Sequence, residues 1–264
     1  MHPFLFRAGP IEVAAYPVML GLAALVGFLS LWKANRSGIA RSPSEFSLLC
    51  NLLILGAAAG GFSYSVLMRA AGLAAAEGSF LHSGLPTFGV MAGVAGAALL
   101  DAPLQKLPRA VVLDAVFACV PLCHGIAKLG CFLAGCCYGI PAGSGIFWAV
   151  RFHGTPEVPR RLWGVPLHPT QLYEAAGDAL IAWLLASSLM RRKTPGTVCA
   201  VALGGYGLLR FIVGFVRADE PTLGFAHLQA SQGVAGMVAL GALGWLWLPC
   251  RPLPESPAGF SRRR

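Results

Sequence analysis

Successive apolar runs of about the length that crosses a bilayer limit this chain to one class of fold. They lie at 13–32, 46–68, 111–137, 171–190, 197–216 and 225–248, with a shorter, glycine-rich run at 88–104. An open strand cannot satisfy its backbone in lipid, so each run is expected to be helical. Only 12% of the residues are charged, where a soluble domain carries about 25%. The expected fold is an all-α integral membrane protein of about seven transmembrane helices. Residues 1–250 are expected to form a single transmembrane domain with a long outer loop at 139–168. Residues 251–264, RPLPESPAGFSRRR, are expected to be a disordered basic cytoplasmic tail. The run at 13–32 reads as a span and not as a cleaved leader.

The net charge of +9 does not point to nucleic acid, because the cations lie in short segments between apolar runs. It points to topology. With the N-terminus outside, the inner segments hold 12 Lys and Arg and the outer ones 6. Cytoplasmic loops are the richer in Lys and Arg, so the orientation is N-out, C-in.

Two cations remain inside helices, Lys128 and Arg210. Lys128 lies 19 residues after Arg109, about 28 Å along a helix. Arg210 lies 17 residues after Lys193, about 26 Å by the same rise. Both therefore reach the outer half of the bilayer. Either alone can be explained by snorkelling to the interface. Two at one depth point to a shared anion, for which Glu174 and a lipid phosphate are the candidates. A phosphate is expected, in a central lipid cavity open towards the outer leaflet, with Glu174 engaged locally. Arginine grips phosphate bidentately and lysine acts as a point charge. Gly130 and Gly135 beside Lys128 either let backbone N–H groups approach that anion or let helices pack closely.

Around Lys128 the chain reads KLGCFLAGCCYG, 128–139. Of the eight cysteines, Cys50, Cys119, Cys199 and Cys250 sit in or beside apolar runs and read as small buried hydrophobes. Cys131, Cys136 and Cys137 leave three readings open. They are inert packing residues, or a redox pair in which Cys131 bonds Cys136 or Cys137, or metal ligands together with Cys119, Cys123 and His124. No standard metal-ligand spacing appears, so no metal site is assigned, and no organic cofactor is expected.

Four segments carry a resemblance. LHPTQLYEA (167–175) resembles the HPSQLYEA segment of the prolipoprotein diacylglyceryl transferases. GYGLLRFIVGFVRADEP (205–221) is similar to their YG-x-x-RF-x-x-E-x-x-R-x-P-D segment. HSGLPTFGVMAG (82–93) resembles their RSGG…FHGG region more distantly, and KLGCFLAGCCYG stands where they have GR-x-GN-x-x-NGE. The resemblance runs over roughly residues 80–240. It implies a multi-pass protein of the bacterial inner membrane. Its partners would be a phosphatidylglycerol-like lipid and a prolipoprotein lipobox peptide. A diacylglyceryl group would pass from the lipid to the lipobox cysteine thiol, and glycerol phosphate would leave.

Carried onto this sequence, the resemblance implies catalytic roles for Arg210, Lys128, His168 and Tyr173. It implies substrate contacts from Arg217 at the headgroup entrance and from Gln171, Glu174, Gly130, Gly135 and Gln232. The chain also departs from the family. Lys128 replaces the signature arginine, Cys131 its asparagine and Cys136 its glutamate. Gly89 stands at the histidine of FHGG, and Gly214 at the glutamate between Arg210 and Arg217. His82, His124 or His168 is left to act as base. Two rivals share the scaffold, a membrane thiol-redox or metal-handling protein and a non-catalytic lipid-binding relative.

Overall fold

The computed structural model describes residues 4–8, 11–36, 42–72, 87–143, 145–155, 157–187, 194–218 and 228–247. The expected tail at 251–264 and His82 lie outside the described residues. Among the described residues, eight helices follow a short hairpin, β1 Phe4–Ala8 with β2 Ile11–Ala14. They are α1 Ala15–Asn35, α2 Pro43–Ala70, α3 Thr87–Leu104, α4 Arg109–Phe117, α5 Val120–Ala134, α6 Thr170–Ala186, α7 Thr197–Gly214 and α8 Ala230–Trp247. Among the described residues, α1, α2, α3, α7 and the combined stretch Arg109–Ala134 are long and apolar enough to cross a membrane. Their large apolar side chains face outward as well as inward. Leu25, Ile54, Leu55 and Leu67 are all more than half exposed, as helices in a lipid solvent should be.

Several ends are set by local chemistry. α2 opens on Ser42-Pro43-Ser44-Glu45, where Ser42 Oγ accepts from the Glu45 N–H at 3.2 Å and Pro43 occupies the first turn. The expected fourth span is one run in two helices. It breaks at Ala118–Cys119 because Pro121 offers no N–H to continue the ladder and instead enters the first turn of α5. α7 starts on Gly196 in the left-handed region, φ 91. Asp114 of α4 caps it from outside, accepting from the Gly196 and Cys199 N–H groups at 2.7 and 2.8 Å.

Helices pack where side chains are smallest. On α2 and α3, Gly56 and Gly60 meet Gly93 and Gly89 backbone to backbone, and a Cβ on any of the four would overlap its neighbour. Gly89 therefore faces α2 and has no room for a side chain. α5 lies between α1 and α6. Gly130 seats on Tyr16 and Met19 of α1, and Gly125 on Ala175 and Asp178 of α6.

The expected outer loop is partly structured. β3 Val150–Arg151 pairs antiparallel with β4 Pro166–Leu167, and one 3₁₀ turn, Arg160–Leu162, lies between them. Tyr138, Phe152, Val158 and Leu167 form a separate small core there. Isolated bridges tie Gly139 to Arg217 and Pro141 to Leu167. They hold the start and end of the loop against the end of α7.

A buried ionic seam between α5, α6 and α7

Four of the residues singled out in the sequence meet on one carboxylate. Glu174, fully buried on the first turns of α6, receives Lys128 Nζ from α5 on Oε2 at 2.6 Å. Arg217 Nη1, just past α7, reaches Oε1 at 2.7 Å, and Arg210 Nη1 lies 3.9 Å from the same oxygen. Arg210 also donates through Nη2 to Ser231 Oγ on α8 at 2.9 Å. The anion that joins Lys128 to Arg210 inside the protein is thus Glu174, which corrects the expectation that it would be engaged locally. Lys128 is buried and ends on this carboxylate, so it does not snorkel. Arg217 is also buried, and its guanidinium belongs to the cluster.

One helical turn away the same two helices repeat the arrangement. His124 lies four residues before Lys128, and Asp178 four after Glu174, so both pairs share a face. His124 Nδ1 is 2.6 Å from Asp178 Oδ2, its Nε2 is 3.3 Å from Thr87 Oγ1, and its ring meets Tyr206 edge-on at 4.9 Å. Asp178 and Ser231 are missing from the sequence-based assignment. The i, i+4 spacing from Glu174 would have found Asp178; nothing local marks Ser231.

The three cysteines adjoin this seam through Lys128, whose Nζ is 3.6 Å from Cys137 Sγ. All seven cysteines among the described residues are free thiols. Gln171 donates to the Cys136 carbonyl at 2.7 Å, and Thr170 Oγ1 to the Cys137 carbonyl at 2.5 Å. Gln171 thus supports the thiol turn. Gln232 is held by the Phe211 carbonyl and the Gln229 N–H, at 3.1 and 2.8 Å, and packs in the space that Gly214 leaves. Gly130 is spent on packing against α1, and Gly135 ends α5 at φ 86. His168 Nδ1 and Tyr173 OH form a second pair at 3.1 Å, with Trp148 Nε1 donating to the same hydroxyl at 2.6 Å. Antiparallel backbone bonds between Gly139–Ile140 and His168 place that histidine's backbone beside the chain that carries Arg217.

Fold and site together define a multi-pass helical membrane protein built around a buried cluster of three cations on one carboxylate. Comparison with known sequences gives the family. The model described as prolipoprotein diacylglyceryl transferase matches residues 3–248, and the chain belongs to that family. Its relatives include three proteins named phosphatidylglycerol–prolipoprotein diacylglyceryl transferase. That of Clostridium tetani is 28% identical over 89% of this chain and 92% of its own. That of Azospirillum brasilense is 29% identical over 97% of each, and that of Rhodospirillum rubrum 32% identical over 88% and 86%. The similarity extends well beyond residues 80–240, to nearly the whole chain.

Proposed function

We propose that this chain transfers the diacylglyceryl group of phosphatidylglycerol to the cysteine thiol of a prolipoprotein, as its relatives' names describe for them. The observation that carries this is the charge of the seam. Lys128, Arg210 and Arg217 are three cations gathered on one carboxylate, Glu174. A phosphodiester donor carries one negative charge. As the carbon–oxygen bond breaks, the departing glycerol phosphate gains a second. A cluster of three cations holds the doubly charged leaving group better than the singly charged donor, and that difference is what lowers a barrier.

In this reading Arg210 and Lys128 hold the phosphate, with Arg217 fixing Glu174 between them. His168 and Tyr173, hydrogen-bonded to each other, orient the acceptor or exchange its proton. Seven spans follow when α6 and α8 are added to the five long apolar stretches. The excess of inner Lys and Arg, 12 against 6, supports N-out and C-in. The site then opens to the outer leaflet of the inner membrane. The test is purified protein with labelled phosphatidylglycerol and a lipobox peptide, read as thioether-linked product and released glycerol phosphate. Arg210→Lys keeps the charge and loses the planar fork, and is expected to lose most turnover while still folded. Normal turnover by a stable Arg210→Lys variant would reject the phosphate role.

A further inference from the structure

The cysteines of the thiol turn converge more completely than a disulfide needs. A disulfide takes two sulfurs. Here Cys131, Cys136 and Cys137 bring all three Sγ atoms within 4.8 Å of one another. Three sulfurs bound at about 2.3 Å to one tetrahedral ion stand roughly 3.8 Å apart, so small side-chain movements complete the set.

The backbone is built to hold this arrangement. α5 ends on Gly135, whose N–H returns to the Cys131 carbonyl at 2.8 Å. Two residues later Cys137 takes φ 60, a left-handed conformation that is unfavourable for a non-glycine residue. α6 clamps the turn through the carbonyls of Cys136 and Cys137, by way of Gln171 and Thr170. Backbone strain held in place by neighbouring hydrogen bonds is a mark of functional sites. The result turns Cys137 Sγ back towards α5, where Lys128 Nζ waits at 3.6 Å. Three thiolates around a divalent ion carry one net negative charge, and the Lys128 ammonium beside Cys137 favours it.

We propose that Cys131, Cys136 and Cys137 form a three-thiolate zinc(II) site whose fourth position takes the sulfur of the acceptor cysteine. The second half of this proposal rests on the transferase reading; the metal site itself does not. Three protein ligands and one open position are the arrangement of catalytic zinc, and a thiol coordinated there loses its proton outright. That proton passes to solvent, which leaves His168 and Tyr173 to orient the acceptor. The acceptor sulfur then attacks the glycerol carbon of the lipid. A carbon–sulfur bond forms, the carbon–oxygen bond breaks, and the bonding pair leaves on the phosphate oxygen. A thiolate and a phosphodiester, each singly negative, become a neutral thioether and a doubly negative phosphate monoester. No oxidant or reductant is needed. Lys128 sits between the two halves, 3.6 Å from Cys137 Sγ and 2.6 Å from Glu174, so acceptor sulfur and donor phosphate meet at one ammonium. The cysteines at the positions of the family's asparagine and glutamate thus activate the acceptor with a metal.

The test uses the full chain, reduced and purified in detergent, with zinc counted by mass spectrometry and cobalt(II) as the optical probe. One zinc per chain and a cobalt–thiolate charge-transfer band are expected. Cys131→Ser, Cys136→Ser and Cys137→Ser should each weaken the band, and Cys123→Ser should leave it. A lipobox peptide should shift the cobalt d–d bands, and the same peptide with serine for cysteine should not. Thioether formation should fall at least tenfold on removing zinc and return on adding it. No zinc and no thiolate band in folded wild-type protein would overturn the site, while the thioether assay still judges the transferase reading. Zinc bound without any thioether product would leave the metal site standing and sink the transferase reading with the activation step. Full turnover by zinc-free protein would overturn the activation step alone.

Discussion

Replacing Glu174 by glutamine keeps the side chain's size and removes its charge from among three cations. At an effective dielectric of about 20, a pair at 4 Å is worth about 4 kcal/mol. Arg210 lies at 3.9 Å, and Lys128 and Arg217 are closer at 2.6 and 2.7 Å. The gross attraction is therefore about 12 kcal/mol or more, most of it offset by taking four charges out of water. What the substitution exposes is the remainder. Breaking one buried pair by removing one partner costs about 3–5 kcal/mol. Here glutamine strands three cations, so the loss should be at least at the upper end of that range. Lys128→Met is the control. It removes one cation and leaves Glu174 paired with Arg217 and Arg210, so its cost should be less than half as large. For a chain of this size each kcal/mol is about 2–4 °C in Tm. Glu174→Gln should thus lower the melting point in detergent by about 10 °C or more, and Lys128→Met by clearly less. Phosphatidylglycerol should raise the melting point of Glu174→Gln more than that of wild type, because the substitution removes the carboxylate that competes with the lipid phosphate for Lys128, Arg210 and Arg217. A Glu174→Gln variant as stable as Lys128→Met would show that the carboxylate does not hold the three cations together.

Gly214→Ala should cost about 1–3 kcal/mol by overpacking, since a Cβ there overlaps Gln232; Gln232→Ser combined with it should restore part of the melting point. Asp114→Ala should cost about 1–2 kcal/mol by removing the cap that α4 lends to α7, read as a lower Tm with lipid binding kept, whereas Asp114→Asn should cost less because one acceptor remains. Topology reporters fused after Arg41 and after Pro159 should lie in opposite compartments, and the same compartment for both would refute the N-out, C-in orientation.

The helices were legible because lipid imposes the same demand on every apolar run. Each of the seven apolar runs contains a helix, and the run at 111–137 differs only in being broken ahead of Pro121. The cations were legible because a charge in an apolar run is costly, and Lys128 and Arg210 do share one anion. That the anion inside the protein is Glu174 was not legible. It depends on α6 entering the seam with its first turns, which the loop at 139–168 arranges through the pairing of Gly139 with Arg217 and Val150 with Leu167. Two-residue strands of this kind leave almost no periodic signal. The roles of Gln171 and Gln232 were hidden for a related reason. Their partners are backbone carbonyls of Cys136 and Phe211, and a carbonyl has no residue type to recognise.

The departures from the family's pattern fall into two kinds, and packing separates them. Gly89 and Gly214 stand where the family has a histidine and a glutamate, and both positions are closed, the first by Gly60 and Tyr64 and the second by Gln232. Those two groups cannot be restored without moving a helix or displacing a glutamine. The polar residues that this chain does carry lie along the α5–α6 seam, where His124 meets Asp178 and Lys128 meets Glu174 in successive turns. Two polar rungs four residues apart on both helices fix their register, because a slip of one residue would rotate both pairs out of contact. Gly125 lets the helices come close enough for this, with Ala175 and Asp178 against it. The same close approach sets the first turn of α6 against the thiol turn that ends α5. Ionic centre and thiols are therefore held by one helix pair, and a change at Gly125 would move both.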